Sequence, residues 1–122
     1  MRVPAPRARA PAPVGLAMHA AIWRFEGDPD DLLARYDAMM VEAGAGNLRL
    51  HVCLRADDGI LMIDASPSKE AFEALAHGEG FRALRERHGL PEPAEIRDYP
   101  VHVAYAGGSE IHSEGSPPLR TE

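Results

Sequence analysis

The chain has 122 residues, 45% of them hydrophobic, and a formal net charge of −6, enough for one domain but not for a second independent core. Arg2, Arg7 and Arg9 place +3 in the first 17 residues and leave −9 on the remainder, so the foldable part lacks the basic stripe that a nucleic acid or an anionic membrane surface requires. No apolar run reaches the ~18 residues of a membrane-spanning helix, and the opening Pro/Ala/Arg stretch lacks the continuous apolar core of a secretion signal.

Nearly all the periodic apolar residues fall between Met18 and Tyr105. Residues 1–17 and 106–122, rich in Pro, Ala, Gly, Ser and charge, read as disordered tails flanking a domain over 18–105. His19 to Phe25 alternates and is rich in β-branched and aromatic residues, which predicts a first strand. Asp28-Pro29-Asp30-Asp31 supplies an N-cap, a proline where no amide partner is needed and two carboxylates at the positive end of a helix. Leu32, Leu33, Tyr36, Met39, Met40 and Ala43 recur at helical spacing as its buried stripe, and Gly44 and Gly46 mark its end.

Leu48 to Arg55 alternates strictly, with Leu48, Leu50, Val52 and Leu54 on one side and Arg49, His51, Cys53 and Arg55 on the other. Asp57-Asp58-Gly59 predicts a tight hairpin turn built on its Asp-Gly pair, leading to a third strand over Ile60 to Ala65. Ser66-Pro67 is the expected cap of a second helix with Phe72, Leu75, Phe81 and Leu84 on its apolar face. Gly78 and Gly80, at roughly 1 kcal/mol each, predict a break near His77. Gly89 and Pro91 stop the helical run, and Ile96 to Tyr105 is the expected last strand, which Pro100 confines to an edge or a bulge.

This order is a ferredoxin-like βαββαβ arrangement, an α+β domain with a four-stranded antiparallel sheet in the order four-one-three-two and two helices on one face. Taking Leu48, Leu50, Val52 and Leu54 as the core side, parity assigns His19, Ala21, Trp23, Phe25, His51, Cys53, Ile60, Met62, Asp64 and His102 to the bare face. Such a half-apolar face needs cover, and a domain of this size gains from self-association, so a homodimer is expected.

The first-strand His-Ala-Ala-Ile-Trp-Arg-Phe, the helical Ser-Lys-Glu-Ala-Phe-Glu-Ala-Leu followed by Gly-Phe-Arg-Ala-Leu, and the element order together resemble the dimeric α/β-barrel superfamily, and within it the antibiotic biosynthesis monooxygenases. The resemblance covers about Met18 to Tyr105. It implies a homodimer packed through its bare sheet faces, a ligand cavity between sheet and helices or between sheets, and oxygenation of an aromatic or polyketide-like molecule without a bound cofactor. Haem-degrading relatives place an axial histidine near the position of His77, but they pair it with an asparagine on or near the first strand. The sole asparagine here, Asn47, lies beyond the first helix.

The residues themselves place a candidate site on the polar face of the alternating strand. His51 and His102 are the candidate catalytic bases, because an imidazole that is desolvated and beside a carboxylate can act as a general base near neutral pH. His19, Trp23, Asp64 and Arg49 are the candidate substrate-binding residues, with His51 and Asp64 expected on neighbouring strands. The competing reading is a ligand-binding or structural homodimer in which the histidines are hydrogen-bonded and idle. Cys53 lacks an activating neighbour and reads as an inert thiol. No short His/Cys spacing predicts a metal site, and a lone cysteine fits a reducing, cytoplasmic compartment.

Overall fold

The computed structural model describes residues 17–113; the expected N-terminal tail lies almost wholly outside these. Strand β1 (His19–Glu26) leads to helix α1 (Pro29–Ala43), then to strands β2 (Leu50–Ala56) and β3 (Gly59–Ser66). Two short helices, α2 (Lys69–His77) and α3 (Glu79–Arg87), precede strand β4 (Glu95–Pro100) and a small hairpin of β5 (Tyr105–Ala106) and β6 (Ser109–Glu110). Strands β1 to β4 form one antiparallel sheet in the order β2-β3-β1-β4, the ferredoxin-like order expected. Among the described residues no helix is long and apolar enough to cross a membrane.

Helix α1 starts where its cap chemistry dictates: the Asp28 carboxylate accepts from Asp31 N–H at 2.9 Å, and Gly44 (φ 66°) ends it. The second helical run breaks at Gly78, as its glycines predict, into α2 and α3. The cap of α2 is Ser68, whose Oγ accepts from Ala71 N–H at 3.1 Å, rather than the expected Ser66-Pro67; Ser66 is still paired in β3. The β2–β3 loop is Asp57-Asp58, with Ala56 opposite Gly59, so the anticipated Asp-Gly turn is displaced by one residue. Gly59 (φ 159°) is needed because a Cβ there would lie 1.9 Å from the Phe25 carbonyl oxygen.

The main correction concerns parity. Ala21, Trp23, Phe25, Ile60 and Met62 are buried in one cluster with Leu32 and Met39 of α1 and Phe72 of α2, so the face expected to be bare is the one beneath the helices. The cause lies in β1. Trp23 and Phe25 bring the largest apolar area to one side, while half-buried Arg24 and exposed Glu26, joined at 2.6 Å, lie on the other. Pairing of Trp23 with Met62, and of Met62 with Cys53, transmits that choice to β3 and β2. The face left open carries Ile22, Val52, Leu54, Leu61 and Ile63; Ile22 and Leu54 are each 41% exposed.

The last strand is also shorter than expected. β4 ends at Pro100, which lacks the ladder amide, and Val101 N–H then donates to Met18 O at 2.8 Å. His102 therefore lies past the strand and is exposed. The segment from residue 106, expected as a tail, is structured in its first part, since β5 and β6 pair and Ile111 is buried; residues 114–122 lie outside the described residues. At the far end of α1, Glu42 accepts from Arg87 and from His88 of the α3 terminus, the latter at 2.9 Å. These bonds lower its carboxyl to about 2.

Replacing Gly59 by Ala should destabilise the fold by roughly 1–3 kcal/mol in chemical denaturation, because backbone must shift to admit the Cβ. The Glu42 contribution is present above its ordinary value of 4.5 and is lost as pH falls towards about 2. The acid limb of the stability curve should therefore flatten across that window in Glu42→Gln.

Candidate functional site

Because β2 is locked in phase with Trp23, its polar positions are carried under the helices, where each buried polar group needs a partner. His51 finds two. Opposite it on β3 stands Asp64, and His51 Nδ1 donates to Asp64 Oδ1. An ionised carboxylate only accepts, so this bond fixes the proton on Nδ1 and leaves Nε2 as an acceptor. Tyr36 of α1 donates to it, its hydroxyl 2.6 Å from Nε2, with the two rings nearly parallel at 9°. The result is a continuous Tyr36–His51–Asp64 relay.

Burial, followed by the acidic neighbours Cys53, Asp64 and Asp37, pushes the Tyr36 phenol up to about 12. It therefore remains a neutral donor to His51 across the physiological range. Burial likewise pushes the Cys53 thiol up, with Asp37 and Asp64 adding to the effect, which keeps this sulfur protonated and unreactive.

His51 and Asp64 open onto a cavity of about 220 Å³ between the sheet, the end of α1 and helices α2 and α3. Its walls are Met39, Met40, Leu48, Met62, Leu75, Phe81 and Leu84, and Asn47 of the α1–β2 loop adds a further polar group. Ligand pockets for drug-sized molecules run to about 300–1,000 Å³, so this space suits a small ligand, one ring rather than several. A few polar groups set into an apolar wall are the usual composition of a small-molecule site.

The other residues singled out by sequence are distributed elsewhere. His19 is buried, donates from Nε2 to Asp98 Oδ1 at 2.6 Å and packs on Phe72, fastening β1 to β4 away from the cavity. Trp23 lies beneath the helices with its Nε1 unpartnered, and the Nε of Arg49 is likewise buried without an acceptor; neither lines the cavity of His51. His102 is exposed beyond β4 and does not join the cluster. Tyr36 was assigned to the core stripe of the first helix. Its position one turn before Met39 and Met40 put it on the correct face, but nothing in the sequence pairs its hydroxyl with His51. Among the described residues no group of three His, Cys, Asp or Glu side chains is placed to hold a metal ion.

The ferredoxin-like fold has a clear likeness among solved structures. A protein from Chloroflexus aurantiacus J-10-fl, provisionally described as an antibiotic biosynthesis monooxygenase, is similar at a TM-score of 0.56 and 14% identity. The match covers 74% of this chain and 98% of that one. At this identity the likeness establishes the shared fold, the one the sequence resemblance implied. No family model matches the chain, and no curated protein matches it in sequence.

Tyr36→Phe should destabilise the protein by about 1–2 kcal/mol, by leaving His51 Nε2 without a donor. A tyrosine titrating near 12 in the phenolate absorbance should vanish with it. Because the folded value is raised above the ordinary 10.0, the stabilisation is complete below pH 10 and is lost as pH rises through about 12. This alkaline loss should be absent in Tyr36→Phe.

Proposed function

We propose that the cavity of His51 is the active site of a small cofactor-independent oxygenase-like enzyme acting on a small phenol or enol. The observation that carries this reading is the Tyr36–His51–Asp64 relay beside an apolar cavity of one-ring size. His51 lines the cavity and Tyr36 does not; Tyr36 holds the imidazole through Nε2 until a substrate hydroxyl takes its place at that nitrogen. The substrate proton moves to Nε2. Asp64 then stabilises the resulting imidazolium, as carboxylates do in other oriented histidine bases. The electron-rich substrate anion reacts with dioxygen, and an activated CH2 carbon leaves as C=O with release of water.

In this reading Asp64 and Tyr36 act with His51, and His102, which stands apart in the fold, has no catalytic part. Trp23, His19 and Arg49 do not contact the substrate. One observation favours a second reading, a ligand-binding protein without turnover: both nitrogens of His51 are already hydrogen-bonded.

The same proposal includes a homodimer. The open sheet face presents the aliphatic side chains of Ile22, Val52, Leu54, Leu61 and Ile63, and two such faces packed together would bury them. A cytoplasmic location is supported by the single, unactivated thiol of Cys53.

Added 4-methylphenol should shift the His51 imidazole resonances in the NMR spectrum, and oxygen uptake with small enolisable or phenolic substrates should fall by about 10²–10⁴-fold in His51→Ala. Binding with uptake equal in wild type and His51→Ala would favour the ligand-binding reading; no shift at His51 would remove both. By sedimentation, wild type should be a dimer and Ile63→Lys a folded monomer.

A further inference from the structure

A second cavity, of about 230 Å³, lies between the α2–α3 break and the β1–β4 edge and shares Phe81 with that of His51. Trp23, Phe81 and Ile96 supply its apolar walls, and His77, Arg82 and Arg85 its basic groups, with the Glu79 carboxylate on its border paired to Arg82. Two of these residues have hydrogen-bonding capacity that the protein does not use. The Trp23 indole N–H is buried with no acceptor, where a lost hydrogen bond is expensive. Arg85 is a buried cation, 7% exposed, whose one side-chain bond among the described residues is from Nη1 to the Leu90 carbonyl at 3.2 Å.

Arg85 forms no ion pair among the described residues. Arg82, by contrast, is committed to Glu86 at 3.1 Å and Glu79 at 3.7 Å. A buried guanidinium without a carboxylate is costly unless a negative charge comes to it, and its remaining N–H groups are not sealed off as the indole is. The amino end of α3, which has no side-chain cap, borders the same space through Gly78 and Glu79 and adds a positive partial charge.

We propose that this cavity binds a small organic acid, with the carboxylate on Arg85 and the hydrocarbon part between Trp23, Phe81 and Ile96. A planar guanidinium matches a carboxylate with two parallel hydrogen bonds, and the apolar walls select an acid with a hydrocarbon body over an inorganic anion. This site is independent of the chemistry assigned to His51.

Trp23 is the only tryptophan in the chain, so its fluorescence reports on this cavity without interference. Titration of the full chain with cyclohexanecarboxylate should give a saturable change in Trp23 emission. The neutral cyclohexylmethanol should bind about ten-fold or more weakly, the loss of a charge-assisted pair, and inorganic phosphate should give no response. The response should disappear in Arg85→Met. Because that variant also removes the bond to Leu90, Ala76→Leu, which fills the cavity and spares the guanidinium, should give the same loss. Equal binding of acid and alcohol, absence of a saturable response, a response to phosphate matching that to the acid, or a response retained in a folded Arg85→Met or Ala76→Leu protein would each overturn the proposal.

Discussion

The packing of Trp23 against Phe72 and Phe81, edge to face at 6.2 and 5.3 Å, decides which side of the sheet the helices cover. Everything polar in the interior follows from it. With β1 held in that phase, antiparallel pairing leaves β3 and β2 no freedom to turn their side chains over, since a slip of one residue would expose Phe25, Ile60 and Met62 together. His51 and Asp64 are consequently drawn beneath α1. There they are tolerable only as a bonded pair, and Tyr36 completes the set. The relay is thus a product of core packing as much as of any demand of chemistry.

Element order within the sheet, the start of α1 and the break at Gly78 were legible in the sequence, because each is written in local chemistry: Asp28 before Pro29 and paired glycines after His77. The phase of the sheet was misread because β2 by itself offers no decision. Its leucines and valine look like a core face, yet they belong to the open side, and His51 and Cys53 look like a solvent face. The deciding signal was in β1, where Arg24 and Glu26 alternate with Trp23 and Phe25. Volume and charge there outrank the aliphatic run in β2. The pairing of His51 with Asp64 survived this error, since both residues changed faces together. Tyr36 could not be found from spacing, because a stripe residue with a hydroxyl looks the same whether or not a histidine stands opposite it.

Placing the site beneath the helices changes what it can accommodate. A space between two sheets can grow with the separation of the protomers, whereas one enclosed by α1, α2 and the sheet is limited by side chains already in contact. The methionines at 39, 40 and 62 soften that limit, being unbranched and able to reshape around a ligand. The aliphatic side of the sheet, freed of histidines, is better suited to close against another apolar surface than the half-polar face expected from the sequence, which would have buried imidazoles at an interface.

Phe81 forms part of the wall of both cavities, at the start of a helix joined to its predecessor by a single glycine. One aromatic ring is therefore common to the walls of two rooms. A guest that moves the ring in one room reshapes the wall of the other, and whatever it does to the second guest's affinity the second does to its own in equal measure.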